Sequence, residues 1–255
     1  MGEGHGAAPP VLQLDGVVKD YGEGEVRFRV LPGVDLTLRR GEFAALMGPS
    51  GSGKSTLLSL IGGLSRPTSG TVTVAGIDLG SLGPNRLSDF RREYLGFVFQ
   101  SFHLIPTMTA IENVMTGAYL RDYPPGVVRA KAEEILRFTG LIERRDVPGP
   151  DLTIADKKRL EVAMALATRP TLLMLDEAMA GLTPVELREI IALLRKVRES
   201  GVTLIIVEHV MEAVMELSDR VVVITSGRKI VEGTPAEVVR NPEVIQAYLG
   251  ERYHA

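Results

Sequence analysis

The sequence predicts an α/β protein: a mostly parallel sheet with helices on both faces, an antiparallel β region before it, and a helical insertion. Three observations predict this class. The runs TLLMLDE and GVTLIIVEH are continuously apolar and each follows a helical segment, which is typical of buried parallel strands. Residues 11–47 contain short β-type runs separated by glycines and charged residues. Residues 107–139 instead repeat apolar side chains at helical spacing.

The predicted elements follow in a simple order. Strands are expected in VLQLDGVV, EVRFRV, GVDLTL and EFAALM, and a glycine-rich loop then leads into a helix at residues 55–64. A strand pair in TVTVAGIDL precedes the buried strand LGFVFQ, which ends at Gln100. After the strands named above, VVVITSGRKIVEG predicts a hairpin, and TPAEVVRNPEVIQAYLG predicts short helices.

These elements predict a single domain over residues 11–255 after a loose tail at residues 1–10. The α/β core is expected at residues 11–100 and 161–234, and the helical subdomain at residues 101–160. Helices at residues 235–255 are expected to complete the chain.

Composition excludes several functional classes. The chain has 255 residues, enough to bury a substantial core, and a net charge of -3, which does not suggest a nucleic-acid binder. Cysteine is absent, which excludes disulfides, thiolate metal sites and cysteine nucleophiles. No run approaches the roughly 18 to 20 apolar residues of a membrane-spanning helix. The first ten residues lack the apolar centre of a signal peptide, so we expect the protein to remain in the cytoplasm.

The segment GPSGSGKST, residues 48–56, matches the phosphate-binding P-loop. Its glycines let backbone N–H groups turn toward phosphate oxygens, and the following helix directs its positive end at the same anion. Lys54 would neutralise the β- and γ-phosphates, and the Ser55 hydroxyl would bind Mg²⁺. A chance glycine-rich turn is the alternative, but the position between an apolar strand and a helix favours a P-loop NTPase core. The residues expected to bind the nucleotide here are Gly48, Pro49, Ser50, Gly51, Ser52, Gly53, Lys54, Ser55 and Thr56.

Polar residues end three of the predicted strands. Asp176 and Glu177 follow LLML, and strand alternation would point their side chains differently. Asp176 would hold Mg²⁺ through water, and Glu177 would act as general base on the attacking water. A merely solvated acidic pair is the alternative, and the upstream P-loop favours function. His209 could reach the γ-phosphate from a neighbouring strand end, and Gln100 ends another strand. Each of these two residues alone is only a weak indicator of a nucleotide site.

In this order the motifs resemble the nucleotide-binding domain of ABC transporters, over residues 12–250. The resemblance implies that Tyr21 stacks on adenine, although a strand-end aromatic residue at the surface is the alternative. It also implies that Gln100 senses both Mg²⁺ and the membrane partner, alongside the metal ligands Ser55 and Asp176. His209 would be the switch histidine.

The family's signature segment, typically LSGGQ, is altered to LTIAD at residues 152–156. Thr153 can cap the following helix, and Asp156, three residues on, can complete a capping box. The resemblance implies that this helix end faces the γ-phosphate held by the other subunit, with Thr153 supplying a hydroxyl. The usual D-loop aspartate is also replaced, by Thr183. We interpret both changes as subgroup variation, and an inactive site is the alternative.

Two subgroups are represented in the sequence. GPSGSGKSTLLSLIGGL and GFVFQSFHLIPTMTAIENV resemble the lipoprotein-release and macrolide-export ATPases. LTIADKKRLE, LDEAMAGLTP and the later segments up to AYLGE resemble the branched-chain amino acid importers. The change falls near residues 114–120, and both departures from the usual motifs lie in the importer-like half. The sequence leaves open a natural mosaic and an engineered recombinant.

We therefore expect an ATPase that binds ATP and Mg²⁺, dimerises head-to-tail as a homodimer or heterodimer, and docks on a membrane permease at the inner face of the membrane. Neither the coiled-coil insertion of chromosome-maintenance proteins nor the Asn-Lys-x-Asp motif of GTPases is present. Two alternatives remain. One is a small P-loop kinase, and the other is an ATP-binding regulatory subunit with little turnover.

Overall fold

The computed structural model describes residues 9–22, 24–99, 102–121 and 123–249. The strands in these ranges are β1 Leu12–Tyr21, β2 Phe28–Leu38, β3 Phe43–Met47, β4 Ser69–Val74, β5 Ile77–Asp78, β6 Leu95–Val98, β7 Leu172–Asp176, β8 Thr203–Val207, β9 Arg220–Thr225 and β10 Arg228–Gly233. The helices are α1 Lys54–Ile61, α2 Pro84–Tyr94, α3 Ala110–Leu120, α4 Pro125–Phe138, α5 Ile154–Ala167, α6 Pro184–Glu199, α7 Met211–Leu217, α8 Pro235–Val239 and α9 Pro242–Leu249.

The larger sheet has the strand order β10-β9-β3-β8-β7-β6. Five of its strands run parallel, and β10 pairs antiparallel with β9 as the predicted hairpin. Alternate residues of β3 serve two different cores: Ala44 and Leu46 belong to the apolar cluster shared with α1, whereas Phe43, Ala45 and Met47 belong to the one shared with α6. The predicted parallel sheet, covered on both faces, is confirmed.

The smaller sheet is antiparallel, in the order β2-β1-β4-β5, as the N-terminal sequence predicts. The two strands predicted in EVRFRV and GVDLTL are one strand, β2. Pro32 and Gly33 lie inside it and suggest a break, but β2 is an edge strand of its sheet, where a missing N–H donor is tolerated. Helix α2 was not predicted because only Leu87 and Phe90 of its residues are buried, which gives a weak apolar pattern.

Helices α3, α4 and α5 share a third apolar cluster, separate from the two beside the sheet. Gly117 of α3 packs directly on α5, since a Cβ there would lie 2.7 Å from the Met164 carbonyl oxygen. Helix α5 continues to Ala167, past the predicted boundary at residue 160. Over the described residues, no helix is both long and apolar enough to span a membrane.

Candidate nucleotide-binding site

The predicted site residues leave the larger sheet at one edge. Strand β8 lies between β3 and β7, and the register places Val207 beside both Leu46 and Asp176. The glycine-rich loop follows β3, the Glu208–His209 pair follows β8, and Glu177 follows β7. Because the carboxyl ends of parallel strands share an edge, residues distant in sequence form one site.

The loop after β3 needs its glycines. Gly48 has φ 150°, and a Cβ there would lie 2.0 Å from the Ile224 carbonyl oxygen. Gly53 has φ 103° and precedes Lys54, where α1 begins. A Cβ at Gly53 would meet the Leu31 side chain at 2.8 Å. The loop therefore lies tightly between β2 and β9, with the N-terminus of α1 available to an anion.

Lys54 folds over its own loop. Its Nζ donates to the carbonyl oxygens of Gly48 and Pro49, both at 2.8 Å, and lies 3.4 Å from the Ser52 hydroxyl. The charge of Lys54 also opposes the rise in the pKa of Asp176 that burial causes. The ammonium group thus lies on the loop, near enough to Asp176 for their charges to interact, and it can exchange loop carbonyls for phosphate oxygens.

Ser55 and Asp176 line the same small cavity, of about 70 Å³. Burial, and then the negative charges of Glu177 and Glu208, raise the pKa of Asp176 above its ordinary value, while Lys54 opposes the shift. A partly buried carboxylate with raised pKa beside a hydroxyl is a donor set that a hard divalent cation stabilises. The residues fit Mg²⁺ bound together with a nucleotide.

Glu177 has φ 50°, in the left-handed region, and its N–H donates to the Val207 carbonyl oxygen at 2.9 Å. Strand β7 ends at Asp176 and Glu177 has left the extended conformation, so strand alternation does not describe the direction of the Glu177 side chain. A non-glycine residue in this region costs roughly 1–2 kcal/mol. Backbone strain of this kind is common at functional sites.

Tyr21 ends β1 with its side chain exposed at 37%. Its ring stacks on Phe28 with centroids 6.0 Å apart, and Lys19 Nζ lies 4.8 Å from its centroid. Phe28 begins β2, the strand that packs against Gly53, so one ring of the aromatic pair lies on a strand that flanks the phosphate loop.

The two remaining predicted sensors are placed differently. His209 directly follows Glu208, is exposed, and borders an apolar cavity formed with α8 and α9. Gln100 lies outside the described residues.

The altered signature begins helix α5, and half of the predicted capping box is confirmed. The Thr153 hydroxyl accepts from the Asp156 N–H at 3.1 Å. The predicted return bond from the Asp156 side chain is wrong, because the carboxylate pairs with Arg159 Nη1, 3.6 Å away. Arg159 is also paired with Glu189 of α6, so a charged partner one turn along outcompetes the Thr153 amide.

Thr183, at the position of the missing D-loop aspartate, caps helix α6. Its hydroxyl accepts from the Glu186 N–H at 3.4 Å, and its N–H donates to Glu186 Oε2 at 2.8 Å. The Thr183 N–H and hydroxyl both donate to the Glu186 carboxylate, and these two bonds hold the pKa of Glu186 below its ordinary value. The threonine therefore completes a full capping box with Glu186.

Sequence reasoning missed Glu208, which is only 2% exposed. Its Oε1 accepts from the Met179 N–H at 2.8 Å, and its Oε2 accepts from the His209 N–H at 3.1 Å. An acidic residue that ends an apolar strand immediately before a candidate functional histidine is the signal that was available.

The fold and the site together define a P-loop nucleotide-binding protein. The sequence profile of the ABC transporter family matches residues 31–180. The chain belongs to the ABC transporter family. A second profile, of the branched-chain amino acid ATP-binding cassette transporter, matches residues 228–254.

Similar proteins come from several transport systems. The lipoprotein-releasing system ATP-binding protein LolD of Anaeromyxobacter dehalogenans is 42% identical, over 89% of this chain and 95% of its own length. The methionine import ATP-binding protein MetN 2 of Rhodococcus jostii is 37% identical, over 92% and 69%. The macrolide export protein MacB of Rhodopirellula baltica is 42% identical, over 90% and 33%. The chain spans only 59% of MetN from Bifidobacterium longum. Together with the C-terminal profile, these relatives confirm the mixed resemblance.

Solved structures agree with the fold. The ATP-binding cassette MJ0796, a dimer in a post-hydrolysis state with ADP and phosphate, superposes with a TM-score of 0.80 at 33% identity, over 88% of this chain and 98% of its own. The cbiO1 protein of Clostridium perfringens, part of the cbiONQ transporter complex, gives 0.84 at 30% identity, over 95% and 99%. The predicted P-loop NTPase core is confirmed.

Proposed function

We propose that this chain hydrolyses ATP as the motor subunit of an ABC transporter. The observation that carries the proposal is the meeting of Lys54, Asp176 and Glu177 at one sheet edge, around a glycine loop that opens a helix. Phosphoryl transfer to water needs an anion cradle, a cation site and a base, and the chain has a residue for each.

Each residue of the candidate site has a defined part in the proposed reaction. The loop amides and the Lys54 ammonium hold the phosphates, and Tyr21 provides a ring for the adenine base. Ser55 and Asp176 would hold Mg²⁺, which when bound neutralises phosphate charge. Glu177 takes the proton of the attacking water at its carboxylate.

The site is completed by a second copy of the cassette. Thr153 and Ile154 begin α5 at the surface, and Ile154 is 51% exposed. A helix N-terminus at an exposed surface favours an anion presented by another molecule. The dimeric state described for the MJ0796 cassette supports this arrangement, in which the Thr153 hydroxyl meets the γ-phosphate of the partner subunit.

A membrane permease is the proposed mechanical partner. Helices α3, α4 and α5 together with the segment from Phe102 that precedes them form a helical group. It presents exposed apolar residues, among them Phe102, Tyr119 and Leu120, that are 40 to 55% exposed. The relatives are named as ATP-binding components of import, export and lipoprotein-release systems. We place the permease beside Gln100 and this helical group, with the ATPase held at the inner face of the membrane.

The test is turnover by the purified protein with MgATP and no phosphate acceptor, compared with Glu177→Gln. The variant keeps shape and hydrogen bonding but loses basicity, so turnover should fall by roughly 10² to 10⁴ while ATP still binds. Near-normal turnover in the variant would defeat the assignment of Glu177.

The altered signature favours one second candidate, a regulatory subunit. ATP binding without turnover, even beside the purified permease, would support it.

A further inference from the structure

Glu208 connects two segments of the proposed catalytic site. Oε1 of its carboxylate accepts from the Met179 N–H at 2.8 Å, two residues beyond Glu177. Its Oε2 accepts from the His209 N–H at 3.1 Å, and the Val210 N–H lies at 3.4 Å from the same oxygen. One side chain therefore accepts hydrogen bonds from the segment that follows β7 and from the segment that follows β8.

The surroundings make this connection stiff. Glu208 is 2% exposed, and Ala178 and Met179 are each 2% exposed. The Glu177 N–H also donates to the Val207 carbonyl oxygen at 2.9 Å, so two successive links join the strand ends. Hydrogen bonds to a buried charged acceptor are stronger than neutral ones, since water does not compete for them.

Only a carboxylate fits this arrangement. Both of its oxygens accept, and N–H donors face each of them. A glutamine would offer one accepting oxygen, and its amide N–H₂ would then face an N–H donor on the other side. The sequence therefore uses a charge at a position where a neutral side chain of the same size leaves a donor unpaired.

We propose that Glu208 is a positioning residue for ATP hydrolysis: its carboxylate locks the turn after Glu177 to the backbone of His209, so that base and histidine keep one spacing. The inference rests on the proposed function, since it concerns the geometry of the same site.

The experiment compares kcat and the MgATP dissociation constant in wild type and Glu208→Gln. We expect kcat to fall at least tenfold, whereas the dissociation constant should change less than threefold, because Glu208 contacts neither the glycine loop nor Tyr21 by any hydrogen bond described. Glu212→Gln, an exposed change four residues on, is the matched control and should leave kcat unchanged.

A second control separates positioning from lost stability. Thr109→Ala removes the complete capping box of α3, in the helical group, and should lower the melting temperature without lowering kcat at a temperature where the protein stays folded. Wild-type kcat in folded Glu208→Gln would overturn the proposal. So would an equal loss of kcat in Thr109→Ala.

Hydrogen exchange supplies an arm that does not depend on turnover. The Met179 and Val210 amides should be protected in wild type, and both should lose protection in Glu208→Gln. If that variant does not fold, fast exchange of the Met179 amide in wild type overturns the proposal and slow exchange supports it. Absence of turnover in wild type would instead count against the proposed function, and the exchange result would still decide the role of Glu208.

Discussion

The free energy of unfolding should depend on pH because a glutamate, Glu161, is buried in helix α5. Glu161 is 5% exposed, and its Oε1 accepts from the His103 N–H at 3.2 Å. Among the described residues its Oε2 has no hydrogen-bond partner, and it lies 4.0 Å from Lys158 Nζ. Burial raises the pKa of Glu161 from 4.5 to about 7, although the His103 bond and the Lys158 charge oppose the shift.

The sign and size of the effect follow from that pKa. In the unfolded chain the carboxyl releases its proton near pH 4.5, while the folded protein retains it to about pH 7. The free energy of unfolding therefore falls as pH rises through this interval, by about 1.4 kcal/mol per pH unit. Between pH 5 and pH 7 the loss is about 2 to 3 kcal/mol on the same scale.

Glu161→Gln removes the titration but keeps the shape and the acceptor for His103. We expect the variant to melt at a higher temperature than wild type at pH 8, by about 4–10 °C for a chain of this size. At pH 5 the difference should largely vanish. The assay is thermal unfolding followed by circular dichroism from pH 5 to pH 8 without nucleotide. Glu133→Gln, a change at an ion-paired glutamate of α4, is the control. A difference between Glu161→Gln and wild type that is constant with pH, or largest at pH 5, would refute the reasoning.

Three further predictions concern the nucleotide. Lys54→Ala keeps the backbone of the loop but removes its charge, so the ATP dissociation constant should rise together with the loss of turnover; an unchanged constant in a calorimetric titration would exclude the loop as the phosphate site. Tyr21→Ala should weaken ATP binding by about 1–3 kcal/mol, the cost of a lost base–aromatic stack, and leave tripolyphosphate binding unaffected; equal weakening of both ligands would contradict the adenine assignment. Thr153→Ala should reduce ATP-driven dimerisation and turnover and cost about 1 kcal/mol as a lost cap, whereas Asp156→Ala, which releases only Arg159, should keep turnover; the reverse pattern in ATPase and melting assays would mean that the two roles are exchanged.

Much of the fold could be predicted because its signals are local. Apolar runs such as those of β7 and β8 and the glycines of the phosphate loop each depend on a few adjacent residues. Helix α2 was missed because it buries only Leu87 and Phe90, and β2 was divided because Pro32 and Gly33 resemble a turn. The edge position of β2, which tolerates Pro32 and Gly33, depends on the whole sheet and cannot be read from the β2 sequence alone.

The site shows the same limit. Motifs identify Lys54 and Asp176, but the pairing of Asp156 with Arg159 depends on how α5 lies against Glu189 of α6. Glu208 is similar, since its Met179 partner lies 29 positions away in the chain. The roles of Asp156 and Glu208 depend on contacts between segments that are distant in sequence, and the spacing of residues within one segment does not reveal those contacts.

The self-bonded lysine of the phosphate loop has a thermodynamic consequence for ligand loading. Lys54 Nζ has the Gly48 and Pro49 carbonyl oxygens as acceptors. When Lys54 turns to a phosphate it exchanges one set of hydrogen-bond acceptors for another, so its contribution to binding comes mainly from bringing opposite charges together. Affinity for the triphosphate should fall steeply as ionic strength rises, because such charge pairing is screened by salt.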